Sequence, residues 1–286
     1  MKRLFFTLFI ILSINIYTKP ERAVSASQFT TEILLSIGAE KQLIGVAYMD
    51  NNILPELKEK FEKIPLLSNK YPSKEIFYSV NPDFLTGWHS VADPSNLGSL
   101  KELENNGVDV YFMKSLKSNN LQDVFDDILE YGKIFELEEN AKDLVNKMQN
   151  ELNRITNLLP KEKVTVFPYD SGTNLPMVVG GSGIGNTLIE LAGGNNIFKD
   201  LNNPFGQGTW EKVLIEDPDI ILIIDYGDNS YEKKRKYLKE DSPIKNSTAV
   251  KNNKFAIIGL EDISAGVRNI EAIKKMAKFF HNIEIR

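Results

Sequence analysis

Six glycines crowd the stretch GGSGIGNTLIELAGGNNIFKDL, Gly180–Leu201. A glycine run that opens into a helix is a common way for a chain to cradle phosphate. A Walker loop would close on a Lys-Ser or Lys-Thr pair, and Gly185-Asn186-Thr187 stands there instead. A dinucleotide fingerprint would set its glycines directly after a strand, and Gly180-x-x-Gly183-x-Gly185 has the wrong order. The glycines therefore read as architecture. The first cluster is a tight turn where backbone approaches backbone, and Gly193-Gly194 caps a helix in the left-handed conformation. Nucleophilic chemistry fares no better. Ser171 follows Asp170, but there is no G-x-S-x-G elbow and no suitably placed histidine. With no cysteine, the chain has no disulfide, thiolate metal site or lipidated N-terminus. His89 and His281 are its only histidines, so three histidines cannot gather on a metal. No enzyme, resident cofactor or protein-bound metal is expected.

The elements around these residues alternate. The chain has 286 residues, a net charge of −5 and 42% hydrophobic residues. That size suits one large domain or two lobes, and the mixed charge argues against a nucleic-acid partner. Lys2 and Arg3 precede an apolar run, Leu4 to Tyr17, too short to span a bilayer comfortably at about 1.5 Å per residue. Residues 1–18 read as a secretory signal or an uncleaved anchor, and a misplaced start codon is a third reading. No clean small-x-small site follows Tyr17. Cutting at Val24-Ser25-Ala26 would remove part of the first strand.

Strands are expected at 22–26, 43–47, 84–87 and 108–112, with helices at 30–37, 74–80 and 97–106 between them. From Leu121 to Leu159 apolar residues recur at three and four, the period of an amphipathic helix. Gly132 and residues 135–138 divide this stretch, leaving one long helix from Glu138 to Leu159. After Pro160 the alternation resumes. Strands are expected at 164–167, 220–224 and 254–258, and helices at 186–192 (Asn186 as N-cap), 211–215 and 269–280. Asn81-Pro82-Asp83 and Asp217-Pro218-Asp219 each precede a strand. The fold class is α/β: two Rossmann-like lobes with parallel sheets joined by a single long interlobe α-helix. The expected divisions are 19–137, 138–160 and 161–286.

LIELAGGNNIF, then an aromatic, then TWEKVLIEDPDIILI resembles the second lobe of the iron-siderophore and cobalamin family of periplasmic binding proteins. These are the extracytoplasmic solute receptors of ABC importers. RAVSASQFTTEILLSIGAEKQLIGV is similar to that family's opening strand-helix-strand, NPDFLTGW to its third strand and GVRNIEAIKKMAKFFH to its last helix. The resemblance runs from Arg22 to His281. It implies a monomeric receptor that captures a metal chelate between its lobes and delivers it to a membrane permease. Ferric siderophore stands first, then cobalamin, then haem. The long helix implies a small hinge angle on closure. A sensor or adhesin of the same fold is the alternative. An enzyme on the related nitrogenase-type fold would need cysteine ligands.

In such a receptor the cleft lies beyond the strand C-termini. Trp88 and His89 follow one strand, Tyr169 and Asp170 another, Tyr226 a third, and Tyr71 sits in a neighbouring loop. Any of Tyr71, His89, Tyr169 and Tyr226 has the side chain for an axial haem ligand. The family pattern of an aromatic, a glutamate six residues on and a proline seven further is reproduced by Phe205, Glu211 and Pro218. It implies that Phe205 touches ligand and Glu211 docks onto permease arginines. The first lobe lacks the matching glutamate. Asp93 stands nearest its place, with an apparent insertion before Glu102. Arg268 matches a family arginine near the cleft, suited to a ligand carboxylate or phosphate.

Overall fold

A computed structural model describes residues 19–285. The segment read as a secretory signal lies outside the described residues. In the first lobe, β1 (Ala23–Ala26) leads into α1 (Gln28–Ile37) and β2 (Leu43–Ala47). A short 3₁₀ turn precedes α2 (Lys58–Phe61). Then come β3 (Leu66–Ser68), α3 (Lys74–Ser79), β4 (Phe84–Gly87), α4 (Leu100–Asn105), β5 (Asp109–Tyr111) and α5 (Leu121–Ile134). The five strands form one wholly parallel sheet in the order β3-β2-β1-β4-β5.

Capping residues start these helices where the sequence offers them. Ser27 accepts from the Thr30 N–H at the head of α1, and Ser99 forms a capping box with Glu102 on α4. α1 therefore begins two residues before its expected start and α4 three after it, whereas α3, capped by Ser73, starts at Lys74 as expected.

α5 does not break at Gly132. It runs to Ile134, and Glu136 turns the corner at φ 55° into α6 (Glu138–Leu158). Ala141, Val145, Met148 and Ile155 form the buried stripe of α6. They belong to a single apolar cluster that includes Phe29 and Ile33 of α1, Ile128 of α5, and Ile273 and Met276 in the last helix. The connecting helix is thus packed into the core on both sides of the molecule.

The second lobe contains β6 (Val164–Ser171), β7 (Met177–Val179), α7 (Ile184–Leu191), β8 (Gly194–Asn196), β9 (Phe205–Gln207), α8 (Trp210–Glu216) and β10 (Ile220–Asp225). It continues with α9 (Tyr231–Glu240), α10 (Thr248–Lys251), β11 (Phe255–Gly259), α11 (Leu260–Ile263) and α12 (Asn269–His281). Its sheet is mixed, which corrects the expectation of a second parallel sheet. β11-β10-β6 and β8 are parallel, whereas β7 and β9 join antiparallel at the β6 end of the sheet. The apolar run of β10 lies between β6 and β11, as a fully covered strand should.

The glycine-rich stretch is a turn of close backbones. A Cβ on Gly181 would fall 1.7 Å from the Lys199 carbonyl oxygen, and the Gly181 N–H donates to Leu201 O at 2.8 Å. Gly193 follows α7 at φ 82°. Asn186 is not the N-cap. Gly183 holds that position, while buried Asn186 accepts from Asn196 Nδ2 at 3.0 Å. The two proline-aspartate motifs tie strand starts together. Asp83 accepts from the Glu21 and Arg22 N–H groups, and Asp219 from the Thr165 N–H.

Candidate functional site

The C-terminal ends of the two sheets' parallel strands meet across a seam. A cavity of about 80 Å³ lies within it. Trp88, Ser115 and Leu116 line it from the first lobe; Gly183–Gly185, Pro204, Phe205 and Ile263–Ala265 line it from the second. Trp88 is positioned by the end of β4, its ring set edge-on to Phe29 with centroids 4.7 Å apart. Phe205 opens the edge strand β9 and stays 38% exposed. The cavity therefore offers apolar contact from opposite lobes to whatever enters.

The other predicted residues divide between this seam and elsewhere. His89 stacks on Phe112, with centroids 4.7 Å apart. Burial, aided by the Lys117 charge, pushes its pKa below the usual histidine value and favours the neutral, ligating imidazole. The Tyr71 hydroxyl pairs with Ser90 Oγ at 2.7 Å, beside the same turn, and its ring leans on Tyr48. Asp170 and Tyr226 meet in the second lobe, where the Tyr226 hydroxyl donates to Asp170 Oδ2 at 3.2 Å. Lys234 Nζ lies 4.1 Å from the Tyr226 ring centroid. This lysine is 4% exposed and donates to the Ile224 carbonyl. Desolvation depresses its pKa to about 8, against the pull of Asp170 and Asp225.

Two expectations are corrected. Tyr169 does not face the cleft. It is 2% exposed, packs with Phe167 and Trp210 in the second lobe's core, and donates to Gly172 O at 3.0 Å. A residue alternates faces along a strand, and that of Tyr169 is the covered one. Arg268 does not present its guanidinium to a ligand. Its Nε and Nη2 donate to Glu32 Oε2 and Oε1 at 2.7 and 2.5 Å, and Nη2 donates also to Asn52 O at 2.7 Å.

Arg268 thus closes the seam. Glu32 lies on α1 of the first lobe and is 2% exposed in its side chain, against 10% for Arg268. The Glu32 carboxylate also accepts from the Leu54 N–H at 3.1 Å. Beside it Asn51 Nδ2 donates to Glu261 Oε2 at 2.6 Å, again between lobes. Burial raises the Glu261 carboxyl pKa, partly opposed by that hydrogen bond. Farther along the seam Thr187 Oγ1 donates to Asn119 O at 2.5 Å.

Glu211 is exposed in the first turn of α8, with neither ion pair nor side-chain hydrogen bond among the described residues. Asp93 is exposed too, but its Oδ1 accepts from the Ser95 N–H at 2.8 Å and hydroxyl at 2.5 Å, which lowers its pKa. Among the described residues no group of three or more acidic or histidine side chains is placed to hold a metal ion. No described helix is long and apolar enough to cross a membrane.

Sequence reasoning missed Glu32, Glu261, Ser115 and Lys234. Glu32 carried a signal, as the single charge within QFTTEILLSI. A lone acidic residue in a buried helix implies a partner. Ser115 carried none.

A family model described as "Periplasmic binding protein" matches residues 24–260. A vitamin B12-binding protein of Vibrio vulnificus is 24% identical over 219 residues, 76% of each chain. The crystal structure of a periplasmic binding protein from Veillonella parvula superposes with a TM-score of 0.89 at 31% identity, covering 94% of both chains. A periplasmic haem-binding protein of Vibrio cholerae matches with a TM-score of 0.76 at 20% identity, over 90% of this chain and 97% of that one. That last likeness speaks for the fold alone.

Proposed function

We propose, from the premise that this chain belongs to the periplasmic binding protein family, that it is the solute receptor of an ABC importer and captures a metal chelate between its lobes. Ferric siderophore is the first choice, with cobalamin and haem next. The observation that carries this reading is the cavity built from both lobes, with Trp88 on one wall and Phe205 on the other. Aromatic rings held by rigid strand ends give contact area at small entropic cost. At about 80 Å³ the cavity admits only an edge of such a ligand. The bulk of the ligand lies outward, toward Tyr71, His89, Asp170 and Tyr226. Tyr71, His89 and Tyr226 stay as axial donors for haem, since only Tyr169 is in the core.

The receptor works outside the cytoplasm as a monomer, and Glu211, with Asp93 on the other lobe, docks onto cationic groups of the permease. What supports Glu211 is its exposure without an intramolecular partner, the state of a charge free to steer an encounter. The test is calorimetric titration of the purified protein with ferric hydroxamate and catecholate siderophores, cobalamin and haem. One saturable 1:1 isotherm is expected, weakened in Trp88→Ala and Phe205→Ala. Silence toward the whole panel would overturn the chelate reading.

A further inference from the structure

Charge is spread unevenly over this chain. The whole carries −5, yet residues 231–254 hold eight Lys or Arg against three Asp or Glu. One of the eight, Lys234, is buried; the rest reach the surface wholly or in part. Of these, Lys236 alone pairs with a carboxylate among the described residues, Glu240 at 3.9 Å. The fold gathers several of the cations on one side of the second lobe. Lys234 and Leu238 form the buried stripe of α9, which turns Lys236 and Lys239 outward. Arg235 Nη2 donates to Asn253 Oδ1 at 2.7 Å. That contact brings α9 against the turn after α10, where Lys251 and Lys254 are exposed. Lys254 in turn shares a surface hollow of about 540 Å³ with Lys163 and Phe279. The Phe279 ring is 45% exposed. Glu162 and Asp219 are the acidic residues of the hollow, and Asp219 is held by the Thr165 N–H and hydroxyl, both at 2.7 Å. Val164, Ile220 and Lys254 line the hollow where β6, β10 and β11 begin. This face therefore lies at the opposite end of the parallel strands from the interlobe cavity.

We propose that this face, from Lys236 and Lys239 across Lys251 and Lys254 to Phe279, is a docking surface for an anionic phospholipid bilayer. Each cation near such a surface is drawn to its headgroups, and salt screens the attraction. The exposed ring decides for a bilayer over a soluble polyanion. A phenyl group gains from a partner with an apolar interior to enter, and cations beside an aromatic ring suit the boundary between headgroups and acyl chains. The remaining residues carry a net negative charge, which the same headgroups repel, so contact is oriented. It leaves the interlobe cavity open to solvent. This inference goes beyond the receptor reading and does not depend on which ligand the cavity takes.

The experiment sediments the full chain with vesicles of phosphatidylglycerol mixed into phosphatidylcholine and with vesicles of phosphatidylcholine alone. A parallel titration uses soluble polyphosphate. Neutral vesicles report any binding through the apolar Leu4–Tyr17 segment, so the readout is the ratio of the two vesicle affinities. The parent should favour anionic vesicles at low salt and lose that preference at high salt. Lys239→Gln, Lys251→Gln and Lys254→Gln together should reduce the ratio by about 5-fold for each charge removed. Lys239→Arg, Lys251→Arg and Lys254→Arg together should keep it. Phe279→Ser should weaken binding to anionic vesicles and leave polyphosphate binding unchanged. Equal affinity of the parent for both vesicle types overturns the proposal, as does a Lys→Gln triple variant that binds like the parent. Binding to polyphosphate without preference for anionic vesicles assigns the cations to a soluble polyanion and overturns the bilayer.

Discussion

The seam between the lobes has two unlike regions. Beside β1 and β2, Arg268, Glu32, Asn51 and Glu261 find one another, and their buried polar groups are answered by protein. Beside β4 and β5, Trp88, Phe205 and Ser115 surround a space that protein does not fill. The first region is complete without a ligand, and its charges fix how the lobes sit. The second presents apolar surface from both lobes, the surface on which the proposed ligand would settle. A continuous apolar core along α6 lets the two coexist, because closure need not be driven by the ligand alone. The polar region is therefore read as scaffold and the apolar one as the receptor's working surface.

The strongest way to break that division is to open the scaffold. Arg268→Ala strands the Glu32 carboxylate in a site where 2% of its side chain is exposed, and should cost about 3–5 kcal/mol in urea denaturation. Replacing both, as Glu32→Leu with Arg268→Met, should recover only part of that loss, because Glu261 and Asp262, whose carboxylates lie 3.8 and 3.6 Å from Arg268 Nη1, lose their cation as well. A single-variant cost under about 1 kcal/mol would mean that the latch does not hold the lobes. Next comes the working surface. Trp88→Ala should lower ligand affinity about 30- to 100-fold by calorimetry, roughly 2–3 kcal/mol. Phe205→Ala should do so less, with little change in melting, because its ring is already part exposed.

Lys234 sharpens the comparison inside the second lobe, where one buried cation lacks a close carboxylate partner. Its folded pKa of about 8 lies below the unfolded 10.5. Below pH 8 it is charged in both states and its burial cost is fully felt. Between these values only the unfolded chain holds the proton, so stability from this group rises with pH and is lost again as pH falls. The stability of the parent relative to Lys234→Met should rise by on the order of 2 kcal/mol over that window. A flat difference would place Lys234 in water. The smallest effect belongs to Glu211→Ala. It should leave melting within about 0.5 kcal/mol and ligand affinity unchanged, while slowing permease-dependent uptake in reconstituted vesicles.

Much of the fold was legible because it is local. The apolar run of β10, the three-four spacing of α6 and the glycine after α7 each state their conformation within a few residues. The three-residue strands β3, β7, β8 and β9 were not, since so short a segment carries no period. Neither was α9, whose sequence YEKKRKYLKE is charged on nearly every side. The candidate site was half legible. Strand ends pointed to Trp88 and spacing to Phe205, and both reached the cavity. The same rule put Tyr169 there, and the pleat turned it into the core.

The chain's own sequence determined where the longer strands and the amphipathic helices lie, and that they alternate in two lobes about one long helix. Those choices depend on contacts within a turn or a pleat. Only the tertiary structure decided that Arg268 meets Glu32, 236 residues away, and that Trp88 and Phe205 line one cavity from opposite lobes. A hydrogen bond depends on where two groups end up, and that position is the sum of every element between them.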